Sequence, residues 1–234
     1  MVKFLVIKLL TFFDFFYKRK ILKALKKLLN NDKKIIFDVG AHNGESILFF
    51  NKNLNVLKIY SFEPLESNFL KLKTKTKKIA KKIIYFNCAL GEKKENRKIK
   101  EMIETSSSTF NEINENTKYF KKKKFFLGIR EKKKMFVEKK VLVEKAINII
   151  KKFKIEKIDL LKIDTEGYEL NVIKGFDKSI DVVKVVIFEH HYDLMIKKNY
   201  NYSDINKYLI KRGFHLKYKF KMPFRKTFEY IYSK

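Results

Sequence analysis

The sequence predicts an α/β fold in which an open, mostly parallel sheet carries helices on both faces and ends in an antiparallel hairpin. From residue 33 onward, short apolar segments alternate with stretches of helical periodicity, which is the pattern of βα units. Five of the apolar segments end in polar residues, which would collect at one edge of the sheet. The last two segments are joined by a turn at Pro223 with no helix between them, which predicts an antiparallel pair.

The composition is typical of one globular domain of moderate size. The chain has 234 residues, of which 45% are apolar. Cys88 is the one cysteine, which excludes an internal disulfide framework and favours a reducing, cytoplasmic location. We expect its thiol to be a small core group, because no histidine is near it in the sequence.

The net charge of +29 has two explanations that the sequence leaves open. A nucleic-acid partner or an anionic membrane surface would use it. Drift toward AT-rich codons would also produce it, since lysine, asparagine, isoleucine and phenylalanine are abundant while tryptophan is absent. We favour drift, because arginine is scarce and bidentate recognition of phosphate prefers arginine. Nucleic acid is therefore not the expected partner.

Residues 1–32 are predicted to form an amphipathic helical segment, separate from a domain at 33–234. Three roles stay open for residues 1–29: packing on the domain, peripheral contact with the inner face of a membrane, and contact in a dimer. Charges interrupt an apolar run that is already too short to span a bilayer, and no signal-peptide cleavage site follows it. The polar side of the helix carries Lys3, Lys8, Thr11, Asp14 and Lys18.

Five short apolar runs predict the parallel strands, because buried parallel strands are rich in Val, Ile, Leu and Phe. Helical periodicity predicts the connecting helices, and Gly175 and Gly213 mark two helix ends. The strands are 34–39, 56–62, 83–87, 158–163 and 182–188, and the helices are 44–53, 65–80, the end of 141–153, 168–174 and 203–212. The hairpin strands are 214–220 and 226–232, and 92–143 is predicted only as short extended pieces around a polar loop, with a solvated lysine run at 121–124.

The end of the first strand carries the central motif of the candidate site. Gly40 and Gly44 permit a sharp turn and a close approach of the backbone to a ligand. The next helix presents its electropositive amino end there. Asp38 can accept hydrogen bonds from the hydroxyls or the ammonium group of a ligand. Glu63, roughly 20 residues further on, stands at the end of the second strand, where a ribose diol is held.

His42, the middle one of the three residues between these glycines, distinguishes the motif from the dinucleotide fingerprint, which needs a second glycine next to the pyrophosphate. A nucleoside cofactor without a diphosphate fits better. Asn87, after the third strand, is either a hydrogen-bond partner of the adenine edge or an ordinary turn residue. The loop at Ser106–Ser108 either closes over the cofactor or is a plain surface loop.

The fourth and fifth strand ends supply the candidates for the reaction. Asp164 and Glu166 lie beside the first strand, where the strand order reverses, and one of them is expected to act as general base on a substrate hydroxyl. With Glu189 and His191 they form an alternative, less favoured site for a divalent metal. In the remaining alternative, Asp164 and Glu166 only cap the next helix. Adjacent strand residues face opposite ways, so at most one of His190 and His191 points into the site.

Four blocks of the sequence resemble the FkbM-type methyltransferases. They occur in matching order within residues 33–192, and the last block is highly specific to that family. The other blocks are shared among Rossmann-like methyltransferases. One departure is the segment 141–146, which lacks the Thr-Leu-Asp-like turn usual in the family. The blocks are FDVGAHNG at 37–44, FEP at 62–64, NCALG at 87–91 and DLLKIDTEGYE at 159–169.

The resemblance implies a Rossmann-like class I methyltransferase sheet with a C-terminal antiparallel hairpin, and S-adenosylmethionine as the cofactor. It implies a bacterial enzyme that methylates a hydroxyl of a sugar, glycan, lipid-linked sugar or related metabolite. The alternatives are an RNA methyltransferase and a non-catalytic scaffold that docks through residues 1–29. Asp164 and Glu166 would lie near the transferred methyl group. The residues placed at the cofactor are Asp38, Gly40, Ala41, Gly44, Glu63, Pro64, Asn87, Ala89 and Ser107.

Overall fold

A computed structural model describes residues 2–103, 107–126, 129 and 134–234, with side chains from residue 13 onward except that of residue 126. Short 3₁₀ helices at Lys77–Lys82 and Asp177–Val182 each lead into a strand. In chain order the elements are α1 (Val2–Leu28), β1 (Lys34–Val39), α2 (Glu45–Asn53), β2 (Val56–Phe62), α3 (Glu66–Lys75), β3 (Ile83–Phe86), β4 (Ala89–Leu90), β5 (Glu95–Met102), β6 (Glu112–Ile113), α4 (Lys118–Phe126), β7 (Phe136–Glu144), α5 (Ala146–Lys152), β8 (Ile158–Ile163), α6 (Glu169–Gly175), β9 (Val183–His191), β10 (Ile196–Lys197), α7 (Tyr202–Lys211), β11 (His215–Lys221) and β12 (Thr227–Ser233).

The main sheet has seven strands in the order β3-β2-β1-β8-β9-β12-β11. The pairs from β3 to β9 are parallel, and β12 is antiparallel to both of its neighbours. The predicted mostly parallel sheet with a C-terminal antiparallel hairpin is therefore confirmed. The strand order reverses between β1 and β8, which is where a ligand crevice forms in such sheets.

Residues 92–143 form more regular structure than the sequence predicts. β5 pairs with β7 from Glu95↔Val143 to Met102↔Phe136, and β4 completes a second, three-stranded sheet. β5 carries charged side chains at most positions and buries only Ile99 and Met102, which hides its strand pattern. The predicted helix at 65–80 is also divided, because α3 ends at Lys75 before a 3₁₀ turn.

Two apolar layers sandwich the main sheet. One layer packs α5, α6 and α7 against residues such as Phe37 and Leu161. The other packs α1 and α2 against residues such as Ile36, Leu160 and Ile231. β1 and β8 thus contribute alternate residues to both layers, as strands buried on both faces do.

The second half of α1 packs on the sheet. Tyr17, Ile21 and Leu25 are buried, whereas Phe15 and Phe16 are exposed. The side chains of residues 2–12, which carry the rest of the predicted amphipathic pattern, lie outside the described part of the chain. No helix in the described ranges is both long enough and apolar enough to cross a membrane. A membrane contact, a dimer contact and a division into segments at residue 32 stay predictions.

Candidate active site

A cavity of about 360 Å³ opens at the carboxyl edge of the main sheet. The β1–α2 turn, the ends of β2, β8 and β9, the start of β12 and one side of α1 all contribute to its wall. Eight of the predicted site residues line it, namely Gly40, Ala41, Glu63, Pro64, Ala89, Asp164, Glu166 and Glu189. The other five, Asp38, Gly44, Asn87, Ser107 and His191, lie outside the lining.

The two predicted glycines are needed for packing within the chain. Gly40 has φ +79°, and a Cβ atom there would lie 1.8 Å from the carbonyl oxygen of Asp164. Gly44 has φ +86°, and its Cβ atom would lie 2.8 Å from Cδ1 of Leu72 on α3. The first glycine therefore lets the ends of β1 and β8 meet, and the second lets α2 begin against α3.

A partly buried ion-pair network joins β1 to β8 at the floor of the cavity. The Lys162 ammonium lies 3.6 Å from Oδ1 of Asp38 and 3.2 Å from Oδ2 of Asp164. Ser46 on α2 donates a 2.6 Å hydrogen bond to the other oxygen of Asp38. Asp38 is completely buried, so it sets the geometry of the turn from beneath.

The pKa values of this network follow from burial and charge. Burial lowers the pKa of Lys162, but the carboxylates of Asp164 and Asp38 outweigh that effect and the net shift is upward. Burial raises the pKa of Asp38, opposed by Lys162 and Ser46. The sequence pattern gave Lys162 no role, although a lone lysine inside an apolar strand requires a buried partner.

Glu63 has both carboxylate oxygens bound by the chain itself. The backbone N–H groups of His42 and Leu65 donate hydrogen bonds of 2.9 and 3.1 Å to them. The Glu63 carboxylate thereby fixes the β1–α2 turn to the start of α3. Asn87 is exposed, and its amide donates to the carbonyl oxygens of Glu63 and Pro64, so it holds the same loop from outside the cavity.

Glu63 gives the fold a pH dependence that can be measured. Burial raises its pKa from 4.5 to about 7. The folded state thus keeps this proton up to a higher pH than the unfolded state, so the associated stability is present below pH 4.5 and lost as the pH rises through 7. In the unaltered chain the unfolding free energy should therefore fall between pH 5 and pH 8. We expect this fall to be smaller in Glu63→Gln by on the order of 2 kcal/mol, because glutamine does not titrate. Urea unfolding at both pH values tests this, and an unchanged slope would contradict it.

The fifth strand end holds a charge cluster centred on His191. Its Nε2 atom lies 3.3 Å from a carboxylate oxygen of Glu166 and 3.3 Å from one of Glu189. Thr227 contacts Nδ1 of the ring at 3.2 Å. Burial lowers the pKa of His191. Glu166 and the other acidic neighbours raise it by more, so that the pKa of His191 is about 10. An imidazolium has no lone pair to accept a proton, so His191 balances the charge of the two cavity-lining carboxylates.

The carboxylates beside His191 hold protons unusually strongly. Burial raises the pKa of Glu166 to about 7 and also raises the pKa of Glu189. His190 faces the other side of the sheet and packs against Tyr192 and Tyr200. Within the described residues, no group of three or more His, Cys, Asp or Glu side chains is arranged to hold a metal ion.

The rest of the block at 159–169 folds the loop after β8. The Glu169 carboxylate accepts hydrogen bonds from the Thr165 hydroxyl at 3.2 Å, the Gly167 N–H at 2.8 Å and the Tyr200 hydroxyl. Ser107 accepts a 2.6 Å hydrogen bond from Lys123, and its neighbour Ser108 lines the cavity, so closure of this loop over the cofactor stays a prediction. Ser106 of this loop lies outside the described residues.

The comparison with known families decides the identity of this arrangement. The sequence profile described as the methyltransferase FkbM domain matches residues 38–216. The chain belongs to the FkbM methyltransferase family. No curated protein matches the chain.

Solved methyltransferases share the fold of this FkbM-family chain. Methyltransferase FkbM from Methylobacillus flagellatus KT aligns with a TM-score of 0.52 and 17% identity, over 88% of this chain and 46% of its own. TrmK from M. capricolum, solved with S-adenosylhomocysteine, aligns with a TM-score of 0.52 and 10% identity, over 92% and 67%. An rRNA methylase from Streptococcus thermophilus aligns with a TM-score of 0.51 and 12% identity, over 92% and 94%. The chain thus spans less than half of the M. flagellatus protein.

The cavity fits the cofactor that the family implies. Its charged lining is acidic in a protein of net charge +29, with Asp14, Glu45, Glu63, Asp164, Glu166, Glu189 and Glu229 against Lys18, Lys162 and Arg225. Carboxylates suit a ligand with a sulfonium and an ammonium group. Apolar side chains at the β3 end, including Leu65 and Leu90, suit an adenine ring.

Proposed function

We propose that this chain transfers a methyl group from S-adenosylmethionine to a hydroxyl of a sugar, glycan or related metabolite. The observation that carries the proposal is the acidic cavity that extends from Ala89 past Gly40 and Asp164 to Glu189. When bound, S-adenosylmethionine supplies an electrophilic methyl group on a sulfonium centre.

The proposal gives the cofactor a direction along the cavity. The adenine would lie at Pro64 and Ala89, the ribose at Glu63, and the methionine end at the β1–α2 turn around Gly40. Asp164 would lie near the methyl group. Its carboxylate forms a 3.2 Å ion pair with the Lys162 ammonium, which holds it at the end of β8.

Glu189 is our proposed proton acceptor. In this proposal the hydroxyl oxygen would bond to the methyl carbon as the carbon–sulfur bond breaks, and the Glu189 carboxylate would take up the hydroxyl proton. The products are a methyl ether and S-adenosylhomocysteine. A carboxylate accepts a proton only in its ionised form, which the His191 imidazolium 3.3 Å away favours, and the burial that raises the pKa of Glu189 makes that ionised form a stronger base. Asp164 lies against the Lys162 ammonium instead.

Neutralising the proposed base is expected to separate catalysis from binding. Glu189→Gln should lower turnover at least ~100-fold while the Kd of S-adenosylhomocysteine stays within about threefold. Asp164→Asn, which weakens the pairing with Lys162, should also lower turnover. Transfer of a radiolabelled methyl group to a panel of glycosides and sugar nucleotides measures turnover, with total RNA as a separate acceptor. Full turnover in Glu189→Gln would exclude the residue as base, and transfer to RNA alone would replace the proposed acceptor.

We also propose a cytoplasmic enzyme with peripheral contact to an anionic membrane. Phe13 of α1 packs edge-on against Phe224 of the β11–β12 turn, with ring centroids 5.1 Å apart. Phe15, Phe16 and Phe224 are more than 40% exposed. Lysines and an arginine follow directly along α1 at 18–20. Aromatic side chains beside basic ones favour the surface of an anionic bilayer.

Flotation with liposomes tests the membrane contact. We expect Phe15→Ser combined with Phe16→Ser to reduce binding to anionic vesicles at least ~5-fold, since two exposed aromatic anchors are lost. Leu70→Ser on α3 is the matched control, because Leu70 is 58% exposed and distant in sequence from α1. Equal binding of all three proteins would remove α1 from the contact.

A further inference from the structure

The β12 end of the cavity is built by segments outside the matched family domain. The domain match covers residues 38–216. The lining nevertheless includes one side of α1 and the turn and strand that follow β11. These residues are Asp14, Tyr17, Lys18 and Ile21 before the match, and Met222, Arg225 and Glu229 after it.

A hydrogen bond ties α1 to the main sheet at this end. The Tyr17 hydroxyl donates to Oε2 of Glu229 at 2.7 Å, and Tyr17 is 8% exposed. Glu229 on β12 is the register partner of Glu189 on β9, so the two carboxylates lie side by side. β12 is two strands from β8, which puts Glu229 roughly 10 Å beyond the strand that ends at Asp164.

We propose that α1 and the β11–β12 turn form the acceptor subsite, which takes an uncharged segment presenting several hydroxyl groups. This inference rests on the proposed function, because it assigns the cofactor to the opposite end of the cavity. Tyr17 and Glu229 are positioning residues in this arrangement, since their hydrogen bond fixes α1 at the wall.

The chemistry of the lining favours a polyhydroxylated acceptor over an anionic one. The Glu189 and Glu229 carboxyl groups, which lie side by side, can form hydrogen bonds with hydroxyls, whereas a phosphate would be repelled by each of them that is ionised. Lys18 and Arg225 are exposed at the rim and can donate hydrogen bonds. Ile21 and other apolar side chains offer a surface for the C–H face of a ring.

The test uses the full chain with saturating S-adenosylhomocysteine, and p-nitrophenyl glucopyranoside, galactopyranoside and mannopyranoside as probes. Saturation-transfer NMR measures glycoside binding, and calorimetry measures the Kd of S-adenosylhomocysteine. We expect Lys18→Ala and Tyr17→Phe to weaken glycoside binding at least fivefold and to change the cofactor-product Kd less than twofold. Lys23→Ala is the matched control, because Lys23 is exposed on the same helix outside the cavity lining.

The outcomes separate this inference from the proposed function. Absence of S-adenosylhomocysteine binding by the unaltered chain would overturn the proposed function. Binding of S-adenosylhomocysteine without any glycoside signal, or equal glycoside binding by Lys18→Ala and Lys23→Ala, would overturn the acceptor subsite alone. Should Tyr17→Phe fail to fold, Lys18→Ala and Arg225→Ala decide the question, because both side chains are exposed at the rim.

Discussion

Replacing Gly40 by alanine is expected to lower the unfolding free energy by at least about 3 kcal/mol and to abolish cofactor binding. The added Cβ atom would lie 1.8 Å from the carbonyl oxygen of Asp164, and the backbone has φ +79°. The Asp164 N–H donates a 2.9 Å hydrogen bond to the Val39 carbonyl, so separating the two strand ends also breaks this bond. The β1–α2 turn and Asp164 line the same cavity, which therefore loses its shape.

Gly213→Ala is the matched control for this experiment. Gly213 also has φ +79°, but no atom in the described part of the chain lies within 4 Å of the position that its Cβ atom would take. The substitution therefore adds backbone strain without a clash and should cost about 1 kcal/mol. Urea unfolding gives both costs, and calorimetry with S-adenosylhomocysteine gives binding. Similar losses of unfolding free energy in the two variants would contradict this explanation. They would show that the close contact with the Asp164 carbonyl at the end of β8 is not the reason for a glycine at position 40.

The main sheet was predictable because burial leaves a local record in the sequence. A parallel strand covered on both faces needs a run of apolar residues, and polar side chains begin where the run stops at the carboxyl end of the strand. Asp38, Glu63, Asp164 and Glu189 mark four of these ends, which lie together at the edge beside the cavity. β5 and β7 were not predictable in the same way, since charged residues interrupt both strands and each strand buries only two side chains.

The partners of the site residues could not be read from the sequence, because they depend on contacts between distant segments. Glu63 was predicted to hold a ribose, but nothing in the sequence indicates that its two oxygens also accept hydrogen bonds from the backbone N–H groups of His42 and Leu65. Tyr17 and Glu229 are 212 residues apart and form a wall of the cavity. Neither arrangement has a periodicity or a motif by which it could be recognised.

Lys162→Met is expected to lower the unfolding free energy by about 3 kcal/mol at pH 8 and to reduce turnover strongly. The substitution keeps a similar volume but leaves the completely buried Asp38 without its ammonium partner. The pKa of Asp38 in the folded state, already raised by burial, then rises further while its unfolded value stays the same. The folded state consequently holds an extra proton at low pH, so the loss of stability is smaller at pH 5.5 than at pH 8.

Lys34→Met is the control for Lys162→Met, because it removes a buried lysine that pairs with an aspartate away from the cavity. Lys34 is also buried, and its ammonium lies 3.8 Å from Asp159, which joins β1 to β8 at their opposite ends. Asp159 keeps hydrogen bonding from the Ile35 N–H and an ion pair with Lys157, both at 2.9 Å, so a smaller loss of stability is expected. Binding of S-adenosylhomocysteine and turnover should persist in Lys34→Met. If Lys162→Met retained them equally well, its network with Asp38 and Asp164 would serve the fold alone, and the methyl-transfer site would have to lie elsewhere in the cavity.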